Sequence, residues 1–168
     1  LITNSLADGV TAVEAGDIAK ARDSFDLLLV LEPNNEAAKS GLQRLEQLPQ
    51  VLELVASANI NFSEGDFEEA LDSFQQALKL DSQFQAAIVG VENTKNKIKA
   101  LEFQAALNQG YRFLEQSNYS SAITSFARAL AIEPNSSVAA QARLQAQTEL
   151  NQTQINNLLA IANAHELA

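Results

Sequence analysis

The chain contains no cysteine, which removes disulfides, thiolate metal ligands and cysteine nucleophiles. That absence fits an oxidising or a reducing compartment equally, so the compartment stays open. There is a single histidine, His165, with no acid, base and nucleophile set around it; it reads as a solvated terminal side chain. No calcium-loop, phosphate-loop or zinc spacing occurs, and neither a catalytic site nor a cofactor is expected. Only three prolines and six glycines interrupt 168 residues that are 46% apolar, a mixture that favours ordered helices over disorder. No apolar run approaches the roughly 20 residues that span a bilayer. No charged-then-apolar leader opens the sequence, so a soluble stretch is expected.

Basic residues are scarce, 11 Lys and Arg against 21 Asp and Glu, giving a net charge of −10. Phosphate backbones and anionic headgroups are repelled by such a chain, whereas a basic or neutral protein segment is not. The acidity is spread over residues 1–48, 49–100 and 101–168 rather than gathered in a tail. Lys95, Lys97 and Lys99 are the only basic cluster, and steps of two scatter around a helix instead of lining one face. Four Asn-x-Ser/Thr triplets read as chance matches in an Asn- and Ser-rich chain.

What is present is repetition. Ala21-Arg22-Asp23-Ser24-Phe25 returns as Ala70-Leu71-Asp72-Ser73-Phe74 and as Ala122-Ile123-Thr124-Ser125-Phe126, at spacings of 49 and 52 residues. A fixed period of this size marks a repeat array, because each unit leaves an apolar face that only a neighbour covers. Each copy predicts a helix ending near Gly16-Asp17, Gly65-Asp66 or Ser117-Asn118, then a second helix carrying the copied stretch. Glycine supplies the left-handed turn that closes a helix, and Asp or Asn caps the next. The second helices stop at Glu32-Pro33-Asn34, Asp81-Ser82-Gln83 and Glu133-Pro134-Asn135. Beyond them, 36–48, 84–99 and 136–150 also look helical, so each unit holds three helical stretches. The stretch from Ser82 to Gln116 reads as one long helix, while Pro49 predicts a new helix or a kink.

Gly9, Ala58 and Gly110 in the first helices, Ala21, Ala70 and Ala122 with Phe25, Phe74 and Phe126 in the second, and Pro33 and Pro134 after them resemble the tetratricopeptide repeat, a 34-residue helix-turn-helix unit. The first helices depart from that pattern, with Ser5, Leu54 and Ala106 where a Trp-like residue is common; only Phe113 keeps an aromatic further along. The resemblance implies an all-α, right-handed helical-repeat solenoid with elongated helices, in units of about 1–48, 49–100 and 101–150. Residues 151–168 read as the start of a truncated fourth unit, since Leu158 to Ala164 echoes Leu52 to Ala58. Because the first residue is Leu1, a piece of a longer protein is expected.

From the resemblance, the first helices line a concave groove that binds a peptide or partner helix. The positions matched to it include Leu52, Asn59, Phe62, Tyr111 and Leu114, and no basic set capable of clamping a C-terminal carboxylate accompanies Asn59. Val10, Val55 and Leu107 are expected in the core. The implied function is a non-catalytic scaffold or adaptor in complex assembly, and in secretion or envelope biogenesis if the source is bacterial. Its partner would be a protein or peptide, with basic flanks suited to the acidic surface. The competing reading is a spacer or self-association element of a membrane-anchored or multidomain protein, with copies joined through exposed repeat ends.

Overall fold

The Gly-Asp steps close one helix and open the next, as their chemistry requires. In the computed structural model, which describes residues 2–166, Gly16 and Gly65 take the left-handed turn at φ 73° and 94°, and Ser117 takes it at φ 57°. Across each turn the next amide donates back to the preceding helix: Asp17 to the Ala12 carbonyl at 2.8 Å, Asp66 to Asn61 at 2.9 Å and Asn118 to Phe113 at 2.9 Å. Asp17 and Asn118 then cap the succeeding helices, accepting from the amides of Lys20 at 3.0 Å and Ser121 at 3.3 Å. Seven helices result among the described residues: α1 (Ile2–Glu14), α2 (Ile18–Leu31), α3 (Glu36–Glu64), α4 (Phe67–Leu80), α5 (Gln85–Glu115), α6 (Tyr119–Ile132) and α7 (Ser137–Glu166). The described residues contain no strand, and the all-α helical-repeat class with elongated helices is the one observed.

The three long helices, of 29, 31 and 30 residues, absorb the surplus in the period. The stretch after each second helix and the first helix of the next copy form one continuous rod. The long helix read from Ser82 to Gln116 is α5. Of the two outcomes expected at Pro49, a new helix or a kink, the new start is not found, since α3 continues through it. Proline inside a helix forfeits one backbone bond and costs about 3 kcal/mol. Here Leu45, Leu48, Val51 and Val55 are buried on both sides of it, so packing of the two halves outweighs the loss.

The helices sort into two compact units, one up to Lys97 and one from Ile98, with α5 contributing to both. In the first unit the core gathers Val13, Ala21, Phe25 and Leu28 with Leu45, Leu48, Val51, Phe74 and Phe84. In the second it gathers Ala106, Leu107, Ala122, Phe126, Ala129 and Ala139. The copied Phe is the centre of each repeat. The Phe25 ring lies so close to two helices that a Cβ built at Gly9 or at Gly41 would meet it at 2.5 Å. Gly90 stands in the same relation to Phe74, and Gly110 to Phe126, each at 2.4 Å. Small residues are what allow the ring to sit between backbones. By the same period, Ala58 and Ala142, both buried, occupy the corresponding positions.

One ion network ties the first unit across its sequence. Arg44 on α3 donates to Glu14 at the end of α1 (3.0 Å) and to Asp81 after α4 (2.8 Å). The second oxygen of Glu14 accepts from the Gln85 amide at 2.8 Å, and Asp81 accepts from the Gln83 amide at 3.0 Å. Guanidinium geometry suits this two-carboxylate bridge.

Candidate functional site

A first helix must turn one face to its second helix, and what remains outward is open to a partner. Applying the period, Leu6, Val55 and Leu107 are equivalent, and so are Val10, Asn59 and Tyr111. Val55 and Leu107 are buried and Leu6 is half-buried, whereas Val10 is 40% exposed, Tyr111 38% and Asn59 exposed. The expectation that Val10 joins the core is therefore corrected. It lies four residues past Leu6, its apparent counterparts Val55 and Leu107 match Leu6 instead, and its register puts it on the outward stripe.

The five residues matched to a groove occupy three kinds of place. Asn59 and Tyr111 are the outward ones, and Tyr111 also rests its ring edge on Phe126, centroids 5.1 Å apart at 70°. Phe62 is half-buried at the α3–α4 hinge, edge-on to Phe67 at 5.2 Å, with the Lys97 Nζ 5.9 Å over the Phe67 ring. Leu52 is half-buried; its methyl would come within 3.1 Å of a Cβ at Gly16, so it closes over the first hinge. Leu114 is half-buried against the core of the second unit. Leu52, Asn59 and Phe62 lie in the first unit, Tyr111 and Leu114 in the second.

Sequence reasoning did not single out a cleft of about 400 Å³ between α5 and α6, lined by Gln109, Phe113, Ser120, Ser121, Thr124 and Arg128. Two of its hydroxyls are engaged with backbone, Thr124 donating to the Ser120 carbonyl and Ser125, which also lines the cleft, to the Ser121 carbonyl, each at 3.0 Å. The equivalent positions around α4 are Glu68, Glu69 and Asp72, so the same place on the frame changes from carboxylates to hydroxyls between copies. Charge divides similarly. Up to Lys97 there are 16 acidic and 7 basic residues, net −9; from Ile98 there are 5 and 4, net −1. Among the described residues no group of three or more His, Asp or Glu side chains is placed to hold a metal, and no helix is long and apolar enough to cross a membrane.

Residues 51–84 match the family model for the tetratricopeptide repeat. No curated protein matches the sequence. The matched window spans the second half of α3, the Gly65 hinge and α4, and windows displaced by the period, 2–35 and 103–136, hold the same hairpin around Phe25 and Phe126. Repeats of this family generally mediate protein–protein interaction and are typically non-catalytic. With hinge, slot and helix pair recurring three times, the chain is a tetratricopeptide-like helical-repeat protein.

Proposed function

We propose that the chain is a non-catalytic adaptor that receives an extended peptide or partner helix on the outward stripes of its first helices, within a larger complex-assembling protein. One observation carries this reading: the frame residues recur between copies while the equivalent outward residue is Val10, Asn59 or Tyr111. A fixed frame with a changing exposed residue presents a chemically distinct contact on each hairpin. Leu52, Phe62 and Leu114 support these contacts from half-buried positions. A preformed surface lowers the ordering cost of binding. Tyr111 offers apolar area with a polar tip, and the net −9 of the first unit steers a partner with basic flanks.

The test is affinity capture with mass-spectrometric identification over a salt series, comparing the chain with an Asn59→Ala, Tyr111→Ala double variant of unchanged helix content. Loss of one reproducible partner, retained by the parent and weakened by salt, supports the adaptor. Undiminished capture by the double variant sinks the assignment of the stripe. The spacer reading rests on the uninterrupted 31 residues of α5, and gains if no protein other than the chain itself is retained.

A further inference from the structure

The α5–α6 cleft presents a different surface from the outward stripe. Gln109 and Phe113 stand two residues before and after Tyr111, about 200° round the helix from it, so they line the side opposite the one that carries Tyr111. On α6, Ser121, Thr124 and Arg128 follow at steps of three and four residues and share one face, with Ser120 beside them. Every polar side chain of this lining is able to donate a hydrogen bond, and none is a carboxylate. The hydroxyls of Ser120 and Ser121 and the guanidinium of Arg128 have no partner among the described residues, whereas Arg44 is held by Glu14 and Asp81. The equivalent groove of the α3–α4 hairpin is built the other way. There Glu68, Glu69, Asp72 and Gln76 stand where α6 has Ser120, Ser121, Thr124 and Arg128, and Gln76 donates to Asp72 at 2.6 Å. The frame accepts either set, so packing does not require the hydroxyls or the arginine.

We propose that the α5–α6 cleft binds a single carboxylate side chain, Asp or Glu, presented by an otherwise uncharged segment of a protein partner. A guanidinium takes a carboxylate through two parallel hydrogen bonds, and the two free serine hydroxyls donate to the lone pairs that remain. One arginine matches one carboxylate. A phosphoryl group carries up to two negative charges, and no second cation lines the cleft to meet the other. A run of acidic residues is disfavoured because the chain's charge of −10 repels whatever lies beyond the cleft. The half-buried ring of Phe113 supplies an apolar wall for the methylenes that carry the carboxylate. At about 400 Å³ the cleft admits a side chain and its immediate neighbours. One solvent-accessible ion pair with hydroxyl support corresponds to dissociation at ~1 mM, a contact that adds to a larger interface. This site does not depend on the first-helix stripe, and its salt response has the same sign.

The test is a titration of the chain with acetyl-Ala-Leu-Glu-Leu-Ala-amide, followed by amide NMR, beside peptides with Gln, Lys or phosphoserine at the centre. The Glu peptide should shift the amides from Ser120 to Arg128 saturably and more weakly in added salt, while the Gln and Lys peptides should bind about tenfold or more weakly. Arg128→Gln and, separately, Ser120→Glu with Ser121→Glu install what α4 carries at the same places. Both should keep their helix content and lose about tenfold or more in affinity. The Asn59→Ala, Tyr111→Ala variant should bind the peptide as the parent does, which separates this site from the stripe. No saturable shift, equal binding of the Gln peptide, or undiminished binding by Arg128→Gln overturns the proposal. A tenfold preference for phosphoserine overturns the carboxylate assignment, and loss of binding in the Asn59→Ala, Tyr111→Ala variant overturns the location.

Discussion

Replacing Gly110 by alanine sets two known effects against each other. On an exposed helix the change stabilises by about 1 kcal/mol, since glycine is the poorer helix former. Here the new methyl carbon would stand 2.4 Å from Phe126 Cε1, 2.6 Å from Cδ1 and 2.8 Å from Cζ. Carbon atoms prefer separations of about 3.5–4.0 Å, so α5 must withdraw by more than 1 Å or the ring must leave its rotamer. The ring has nowhere to go, being fully buried in the core of the second unit. Overpacking of this kind costs about 1–3 kcal/mol. The net expectation is a loss of about 1 kcal/mol, or a fall of ~4–8 °C in melting temperature for a unit of this size. The chain has two tyrosines, Tyr111 and Tyr119, both in the second unit, so urea titration followed by tyrosine emission reads that unit alone. A midpoint at or above that of the parent would refute the slot. Pairing Gly110→Ala with Phe126→Leu should lose less than the two single changes together, by about 1 kcal/mol, as expected for residues in direct contact.

Arg44→Ala strands Asp81, whose side chain is 4% exposed, and should cost the first unit about 3 kcal/mol; circular dichroism should show an earlier melting step while the tyrosine transition stays in place. Arg44→Lys should recover little, because an ammonium does not reproduce the fork that serves Glu14 and Asp81 together. Ser117→Gly relieves the left-handed φ of 57° and should raise the tyrosine-monitored midpoint by about 0.5–1 kcal/mol in stability; no gain would mean that the serine side chain holds this turn in another way. Gly65→Ala, at φ 94° with open space around the added carbon, should destabilise through backbone strain alone, by about 1 kcal/mol, and a suppressor at a neighbouring side chain should not be found.

The architecture was legible because its signals are local and repeated. Gly-Asp hinges, the copied Ala-to-Phe stretch and the breaks at Pro33 and Pro134 each act within a few residues, and their recurrence fixes the equivalences between copies. Features that depend on distant partners were not. Gly41 and Gly90 look like weak points in helices until the rings of Phe25 and Phe74 are placed against them. Arg44 has no signature in sequence, since its carboxylates lie 30 and 37 residues away. The new helix start expected as one outcome at Pro49 failed for a related reason: a local rule says break, and burial of Leu48 and Val51 on either side says continue. Of the residues matched to a groove by resemblance, the outward placement of Asn59 and Tyr111 follows from register, whereas the inward roles of Leu52 at Gly16 and Phe62 at Phe67 depend on how hinge and helix meet in space.

The continuity of α3 turns residue counting into geometry. Gly41 receives the ring of one repeat and Ala58 occupies the matching place for the next, seventeen residues further along a single rod. A loop between them could swallow an inserted residue by changing its path. A helix cannot: each added residue advances the remainder of the rod by 1.5 Å and turns it by about 100°. The angle between neighbouring hairpins in this unit is thus indexed, like teeth on a shaft. Whole repeats can be duplicated without harm, but a single-residue insertion or deletion between the two positions swings the next ring out of its slot.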